Sequence, residues 1–329
     1  MRDLIIFGSA RIDAFLEVPD DKVDTFCRLN EKDCVIELSY ASKIPMKRVQ
    51  FLVGGNGANV SVGTKRLGLD SLLVAEVGSD LMGNNTKTEL ENAGIDIQFV
   101  TQTNGVPGGF GAIIVYQGER TILSYYPPMT PPFPEKICDT KWAYLTSTGE
   151  AFEEYYEKIY NWLSGCEAKL AFNPGGRQIA KGTEWMKKFL ERTEIILVNR
   201  QEAEKITGVS DTYKKERDLL KALHGLGPKI PIVTDGMNGT YAFDGEKFLH
   251  IGVMPIDAIE RTGAGDAFSS GTLSAIIQGK PLEEALKWAT LNSTSVIGYF
   301  GPQKGLLTQD DFKTWFERAD SCGLKVEEF

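Results

Sequence analysis

The stretch "ERTGAGDAFSSG" (260–271) places Gly263, Ala264 and Gly265 directly before Asp266, and Asp266 directly before a segment typical of a buried helix. The first turn of a helix has unpaired backbone N–H groups and a partial positive charge, so it stabilises anions, and small residues let a ligand approach the backbone. Residues 263–266 are therefore predicted to form an anion hole. Asp266 has two interpretations, an N-cap of this helix or a general base beside the anion hole.

The rest of the chain alternates short apolar runs with amphipathic segments. Runs rich in branched side chains, separated by helix-like segments, indicate an α/β fold with a Rossmann-like, mostly parallel sheet flanked by helices. The predicted strands are 4–7, 72–77, 142–147, 169–172, 195–199 and 231–236, and the predicted helices are 83–93, 151–163, 184–192, 212–223, 266–278 and 281–297.

Two segments interrupt this alternation. Residues 14–53 and 108–126 have strand character without helices, and the second resembles a hairpin that turns at Gln117, Gly118 and Glu119. We predict that these insertions form one small β-sheet. Such a sheet can act as a lid that excludes water from a reaction, or as a surface through which two copies form a homodimer. The α/β domain would then comprise residues 1–13, 54–107 and 127–329.

Polar residues and glycines follow several predicted strands. Asp13 comes after the first strand, at the carboxyl edge where open α/β sheets bind ligands, although a lone Asp is also common on a surface. In "VGGNGANVSVGTKRLG" (53–68), Gly55 permits a tight turn, and Asn56 and Asn59 offer amides suited to neutral hydroxyl groups. The alternative is a plain strand-to-helix connection. The spacing matches neither a Walker A motif nor the G-x-G-x-x-G fingerprint.

Two further strand ends carry candidate ligand-binding residues. In "NRQE" (199–202), Asn199 and Glu202 suit Mg²⁺ and phosphate binding through water, because Mg²⁺ keeps much of its hydration shell. The alternative is a helix start with an acidic first turn. "TDGMNG" (234–239) is a third Gly-bearing turn after a strand.

The composition narrows the classes of partner and compartment. A net charge of −9 over 329 residues argues against broad binding to nucleic acid or to an anionic membrane surface. No apolar stretch approaches the length of a membrane span. The five cysteines are odd in number and lack a C-x-x-C spacing, which fits reduced thiols. We therefore expect a cytoplasmic protein.

Taken together, the motifs resemble the signatures of the ribokinase/PfkB-type carbohydrate kinase family. "GGNGANVSVGTKRLG" with "AEVGSDLMGNNTKTELENAGID" (75–96) is similar to the family's N-terminal signature, and "RTGAGDAF" is similar to the C-terminal signature D-T-x-G-A-G-D. The order of the motifs matches across nearly the whole chain. The resemblance implies a ribokinase-like α/β domain with a small β lid, and transfer of the γ-phosphoryl group of ATP, with Mg²⁺, to a substrate hydroxyl.

The resemblance also implies a role for each matching residue. Asp266 would be the catalytic base, and the backbone of 263–266 the anion hole. Phosphoryl transfer needs positioning and charge neutralisation more than covalent chemistry, and this assignment agrees with that need. The substrate pocket would be lined by Asp13, Gly55, Asn56 and Asn59, with Asn173 near the reacting groups; Asn199 and Glu202 would organise Mg²⁺ and phosphate; and Thr234, Gly236, Gly239 and Asn292 would border ATP.

Arg261 departs from the family pattern. We assign it to the position where potassium-activated members carry an Asp that helps to hold a monovalent cation. Arginine keeps its positive charge and cannot ligate a cation. This assignment predicts catalysis that is independent of K⁺.

Arg11 bears on the substrate. It precedes Asp13 by two residues, so on an extended segment both side chains point to the same face. Its guanidinium is suited either to a phosphate or carboxylate on the substrate, through bidentate hydrogen bonds, or to an ion pair with Asp13 or a lid carboxylate. Arg120 and Arg177 are weaker candidates for reading a substrate anion.

The sequence predicts a cytoplasmic kinase that uses Mg²⁺ and ATP to phosphorylate a small sugar or sugar-like alcohol. A nucleoside kinase of the same fold is an alternative, in which the lid aromatics Phe110, Tyr125 and Tyr126 stack on a base. A second alternative is a non-catalytic regulator that binds a sugar or a nucleotide. The intact carboxylate at Asp266 favours an enzyme over that regulator.

Overall fold

The chain is described by a computed structural model covering residues 1–19, 21, 24–27, 34–117, 119–128, 131–134, 136–137 and 139–329. Its larger sheet has ten strands within these residues. Seven neighbouring strands of this sheet run parallel, and three antiparallel strands extend one edge. In spatial order the strands are β7 (Asp96–Thr103), β6 (Ser71–Gly78), β1 (Arg2–Phe7), β10 (Thr140–Thr146), β11 (Lys169–Asn173), β12 (Thr193–Asn199), β13 (Ile230–Thr234), β14 (Thr240–Phe243), β15 (Phe248–Ile251) and β16 (Val326–Glu328).

Helices cover both faces of this sheet. In β1, Leu4 and Ile6 pack into one apolar core, while Ile5 and Phe7 pack into the core on the opposite face, as the two-residue period of a strand requires. Burial on both faces explains the unbroken apolar runs of the parallel strands. The helices are α1 (Asn56–Arg66), α2 (Leu81–Asn92), α3 (Phe152–Ser164), α4 (Gly176–Ala180), α5 (Thr183–Arg192), α6 (Arg200–Thr207), α7 (Glu216–Gly225), α8 (Ala264–Ile277), α9 (Leu282–Ile297) and α10 (Asp311–Ser321).

A second, four-stranded sheet, called the small sheet below, consists of the two predicted insertions. Its order is β5 (Arg48–Gly54), β2 (Arg11–Glu17), β8 (Phe110–Tyr116) and β9 (Glu119–Tyr125). Strands β2 and β8 are parallel, and the other two pairs are antiparallel. One face of the small sheet, called the inner face, packs on the α/β domain through Phe15, whose ring centroid lies 5.3 Å from that of Phe300. A separate hairpin pairs β3 (Asp24–Cys27) with β4 (Cys34–Glu37).

The structure confirms the α/β fold and the second sheet, and it moves several boundaries. Strand β2 begins at Arg11, so Asp13 lies inside the small sheet and not in a loop after β1. Helix α7 begins at Glu216, four residues later than predicted. The predicted hairpin is present, with Tyr116 opposite Glu119, while Gly118 lies outside the described residues. Within the described residues, no helix combines the length and apolarity needed to cross a membrane.

Candidate functional site

Two adjoining cavities open at the carboxyl edge of the parallel strands. The first, called the small pocket, has a volume of about 300 Å³, and the second, called the large cleft, has a volume of about 990 Å³. Thr234, Gly265 and Phe268 line both, so the cavities meet at the start of α8. The predicted residues that line the small pocket are Arg11, Asp13, Gly55, Asn56, Asn59, Asn173, Asn199, Glu202, Thr234, Gly263, Gly265 and Asp266, and those that line the large cleft are Thr234, Gly236, Gly239, Ala264 and Gly265.

Helix α8 presents its N-terminus to this junction. Gly263 is the N-cap with a φ of 82°, and no side chain forms a capping hydrogen bond. The Ala264 N–H donates to the Arg261 carbonyl at 3.3 Å, while the N–H groups of Gly263 and Gly265 have no partner among the described residues. These two groups and the positive end of the helix dipole therefore face the cavities. This is the geometry that the predicted anion hole requires.

Asp266 lies in the first turn of α8, at the floor of the small pocket. Its Oδ2 accepts a hydrogen bond from Asn59 Nδ2 at 2.7 Å, while Asn59 Oδ1 accepts one from Gln303 Nε2 at 3.0 Å. Burial raises the pKa of Asp266 to about 7, against the lowering effects of the Asn59 hydrogen bond and the Arg11 and Arg120 charges. The carboxylate caps no helix, so the N-cap interpretation is wrong.

Asp13 and Arg11 form a buried ion pair on the inner face of the small sheet. Arg11 Nε donates to Asp13 Oδ1 at 2.7 Å, and the side chains are 10% and 4% exposed. Burial raises the pKa of Asp13, although Arg11 opposes the rise. A Cβ at Gly54 or Gly111 would lie 2.1 or 2.2 Å from an Asp13 oxygen, so glycine at both positions makes room for the carboxylate. Of the two roles predicted for Arg11, a contact to a substrate anion or an ion pair, the structure shows the ion pair with Asp13.

Side-chain amides join neighbouring strands at the base of the small pocket. Asn56 Nδ2 donates to Thr146 Oγ1 at 3.4 Å, and Thr146 Oγ1 donates to Asn173 Oδ1 at 3.1 Å. Asn173 Nδ2 donates in turn to the carbonyl of Leu197. The network fixes the orientation of two predicted substrate-binding amides.

Asn199 and Glu202 form a capping box at the start of α6. Glu202 N donates to Asn199 Oδ1, and Asn199 N donates to Glu202 Oε2, both at 2.9 Å. This is the helix start with an acidic first turn that the sequence left open. Both residues also line the small pocket, and burial raises the pKa of Glu202. The box holds one carboxylate in place at the pocket wall.

Asn292 is the predicted site residue that the structure separates from both cavities. It is fully buried; its Nδ2 donates to the Ala267 carbonyl at 2.8 Å, and its Oδ1 accepts from Leu307 N at 2.9 Å. Its side chain lines neither cavity, because its amide joins α9 to α8 and to the segment before α10. The neighbouring Thr290, Ser293 and Thr294 line the large cleft instead.

We expect Asn292→Ala to lower the free energy of unfolding by about 2–4 kcal/mol, because the Leu307 N–H and the Ala267 carbonyl would lose buried partners. Urea denaturation measures this loss. Ser293→Ala is the matched control on the same helix and should weaken nucleotide binding without a comparable loss of stability. A stable Asn292→Ala protein with weakened nucleotide binding would contradict this assignment.

The sequence did not reveal a large part of the cleft wall. The segment 252–258, between β15 and α8, forms one wall, and α9 contributes residues spaced three to four apart together with Arg318 of α10. The sequence does show that one face of α9 carries residues at helical spacing, and this pattern could have identified the wall: Thr290, Ser293, Thr294 and Ile297. The position of 252–258 depends on the antiparallel edge, which we did not predict.

The three remaining predicted arginines differ in place. Arg120 lines the small pocket. Arg177 lies outside its lining, 3.1 Å from Glu150 and with its guanidinium 4.3 Å from the Tyr126 ring centroid. Arg261 Nη1 lies 2.8 Å from Oε1 of Glu119, at the tip of the β8–β9 hairpin.

The assignment of Arg261 to a cation position needs correction. Counted back from Gly263, the pattern D-T-x-G-A-G-D places its Asp at Glu260 and its Thr at Arg261. Glu260 is buried and accepts hydrogen bonds from the backbone and hydroxyl of Thr262. The prediction of K⁺ independence therefore loses its basis.

Proteins from several organisms are similar to this chain. The ATP-dependent 6-phosphofructokinase of Thermoanaerobacterium thermosaccharolyticum is 24% identical over 96% of this chain and 97% of its own length. The ribokinase of Bacillus subtilis is also 24% identical, over 94% and 98%. Among solved structures, Arabidopsis thaliana ribokinase complexed with ribose and ATP has a TM-score of 0.77 at 20% identity, covering 96% of this chain and 99% of that one.

A nucleoside kinase has a similar fold. The nucleoside kinase of Methanocaldococcus jannaschii superposes with a TM-score of 0.75 at 22% identity, covering 98% of this chain and 99% of that one. The family model for the pfkB family carbohydrate kinase matches residues 21–309, which is most of the sequence. The chain therefore belongs to the pfkB family of carbohydrate kinases, phosphotransferases whose acceptor is an alcohol group.

Proposed function

We propose that this protein uses Mg²⁺ and ATP to phosphorylate a hydroxyl group of a small sugar or sugar-like substrate. The observation that carries the proposal is Asp266, a carboxylate with a pKa of about 7 that lines the small pocket next to Gly265, where this pocket meets the large cleft. The acceptor would bind in the small pocket and the nucleotide in the large cleft. The ribose and ATP complex of the Arabidopsis ribokinase supports the same pair of ligands.

In the proposed reaction, Asp266 takes the proton of the acceptor hydroxyl as that oxygen forms a bond to the γ-phosphorus. The bond from the γ-phosphorus to the β,γ-bridging oxygen breaks, and ADP leaves with that electron pair. Asn59 orients the carboxylate through its hydrogen bond. The backbone N–H groups of Gly263 and Gly265 would stabilise the charge on the transferring group without reorganisation.

The residues around Glu202 fit a hydrated Mg²⁺. Magnesium at phosphoryl-transfer sites is bound by one or two carboxylates together with substrate phosphates and waters. Within the described residues no group of three or more His, Cys, Asp or Glu is arranged to hold a metal, whereas Glu202, held by its capping box, lines the small pocket. When bound there, the ion would neutralise phosphate charge.

The small pocket favours a sugar over a nucleoside. Its volume of about 300 Å³ and its polar lining suit a compact polyol. Gly111 is paired with both Asp13 and Ser124, so these three residues share the inner face of the small sheet. Phe110 and Tyr125 are the next pair along β8 and β9. By strand alternation the two aromatic side chains point away from the pocket, so they are poorly placed to stack on a base.

The test is ADP formation from Mg-ATP with a panel of sugars, sugar acids, sugar phosphates and nucleosides, with Asp266→Asn as the control. The proposal is supported if the wild type turns over one class of sugar and Asp266→Asn does not. Turnover only with nucleosides favours the nucleoside kinase. No turnover across the panel, with Mg-ATP still bound, would favour the regulator over the kinase.

We also propose that two copies pair through the outer face of the small sheet. Val49 and Phe51 of β5 and Leu123 and Tyr125 of β9 are exposed on that face, opposite Asp13. They lie on the two edge strands of the sheet, and exposed apolar patches on a protein surface mark interaction sites. Light scattering should give the mass of a dimer for the wild type and of a monomer for Phe51→Lys. A monomeric wild type, or a dimeric variant, would contradict this.

A further inference from the structure

Arg120 differs from the other charged residues of the small pocket. Asp13 is paired with Arg11, Asp266 accepts from Asn59, and Glu202 is held by Asn199. For Arg120, by contrast, the described part of the chain shows neither a hydrogen bond nor an ion pair. The pocket therefore contains a guanidinium available to a ligand.

The position of Arg120 is set by the β8–β9 hairpin. Arg120 is opposite Val115, whose side chain packs with Phe15 and Ile113 on the inner face of the small sheet. The preceding Glu119 forms the ion pair with Arg261, three residues before the first residue of α8. The hairpin tip is therefore held over the helix N-terminus, and Arg120 lines the same pocket as Gly263, Gly265 and Asp266.

In the proposed reaction the reacting groups meet in the pocket that this guanidinium lines. An acceptor oxygen that gives its proton to Asp266 lies next to that carboxylate, and the incoming phosphorus lies beyond that oxygen, toward the large cleft. The Arg120 charge also lowers the pKa of Asp266, which agrees with their proximity. Asp13 and Asn56 line the part of the pocket suited to hydroxyl groups, and Arg11 is already paired.

We infer that Arg120 is a catalytic residue of the small sheet that donates hydrogen bonds to the transferred phosphoryl group. The inference rests on the proposed kinase function. As the bond from the acceptor oxygen to phosphorus forms and the bond to ADP breaks, the equatorial phosphoryl oxygens carry the charge. Arg120 binds those oxygens and remains protonated, while the acceptor proton goes to Asp266. A planar guanidinium presents its donors in a geometry that matches phosphate.

The first test is steady-state kinetics with Arg120→Gln. We expect kcat to fall by about 10²–10³-fold, with little change in the KM of the acceptor, as for loss of one transition-state donor. Arg120→Lys should retain an intermediate rate. Added guanidinium ion should restore part of the rate of Arg120→Ala, which a purely structural role would not produce. Arg177→Gln, an arginine outside the pocket, is the matched control and should behave as the wild type.

A second test needs no acceptor. Equilibrium binding should show that the wild type binds the non-hydrolysable ATP analogue AMP-PNP with Mg²⁺ more tightly than Mg-ADP. In Arg120→Gln the ratio of these two affinities should fall by about tenfold, while the affinity for Mg-ADP stays unchanged. Equal preference in the two proteins would overturn the inference. If the wild type phosphorylates nothing in the panel, the kinase proposal fails, while this binding test still decides whether Arg120 contacts the γ-phosphoryl group.

One kinetic pattern would assign Arg120 a different role. If Arg120→Gln raises the KM of acceptors that bear a phosphate or carboxylate and leaves kcat unchanged, the guanidinium reads an anion on the acceptor. That result would overturn the inference. An unchanged kcat and KM with every acceptor would equally overturn it, because Arg120 would then be a bystander in the pocket wall.

Discussion

Replacing Asp266 by asparagine is expected to lower kcat by about 10²–10⁴-fold and to leave the affinities for Mg-ATP and acceptor nearly unchanged. The asparagine side chain has the same shape and can still accept the hydrogen bond from Asn59 Nδ2. It cannot take the proton of the acceptor hydroxyl. Steady-state kinetics and calorimetric binding of Mg-ATP measure the two effects separately. An active Asp266→Asn protein would show that the carboxylate is not the base.

The pH dependence of the wild type provides an independent check. Because burial raises the pKa of Asp266 to about 7, the proposed base is protonated below that pH. We expect kcat/KM to rise about tenfold per pH unit until pH 7 and then to level off. The residual kcat/KM of Asp266→Asn should not show this rise with pH. Titration of Glu202, whose pKa burial also raises, would remain visible in that variant.

Asp266→Asn should also be more stable than the wild type above pH 7. The folded protein holds the Asp266 proton more tightly than the unfolded chain, whose carboxyl has a pKa of about 3.9. Between about pH 4 and pH 7 the unfolded chain ionises first, so the wild type loses stability as the pH rises. We expect a gain of about 2–4 kcal/mol for the variant at pH 8 and none near pH 4. Thermal melts at both pH values would measure this, and equal gains would contradict it.

Gly263→Ala and Gly265→Ala should have opposite effects on stability, although only one residue separates them. Gly263 has a φ of 82°, and a Cβ there would lie 2.5 Å from Cβ of Pro302. We expect Gly263→Ala to lose about 2–4 kcal/mol from backbone strain and overlap. A Cβ at Gly265 would have no atom within 4 Å, and alanine favours a helix by about 0.5–1 kcal/mol.

Gly265→Ala should nevertheless impair the reaction. Gly265 lines both cavities at their junction, so the added methyl group occupies space where a phosphate would approach the backbone. We expect a stable, folded protein with kcat/KM for ATP lowered by at least about tenfold. Denaturation curves and initial rates on both variants separate the two effects. Normal activity in Gly265→Ala would mean that the phosphate lies elsewhere.

Much of the site was predictable because of how parallel sheets are built. The motif residues Asp266, Asn199 and Thr234 stand at the ends of strands or the starts of helices, and such positions converge on one edge of the sheet. The sequence pattern therefore identified residues that are far apart in the chain and close in space. Asn292 and the weaker candidate Arg177 are exceptions. The buried amide of Asn292 resembles a ligand-binding group in sequence, but it is used by neighbouring backbone groups and by Ser270 Oγ.

Other parts could not be predicted from local patterns. The antiparallel edge β14–β16 consists of strands of three and four residues, too short for a reliable period. The placement of Arg11 and Arg120 in the small pocket depends on the register of the small sheet, because a shift of one residue would turn both side chains to the outer face. The capping box of Asn199 and Glu202 was visible in the sequence as one of two interpretations, and the geometry accommodates both.

The contact between Glu119 and Arg261 has a consequence for the order of events in a catalytic cycle. The two side chains are 66% and 47% exposed, and an ion pair in that setting contributes about 0–1 kcal/mol and weakens with salt. The hairpin tip can therefore separate from the helix start at little cost when the cavities are empty. In the proposed kinase, bound ligands would supply most of the free energy of closure at the hairpin tip, and substrates would enter without first breaking a strong contact there.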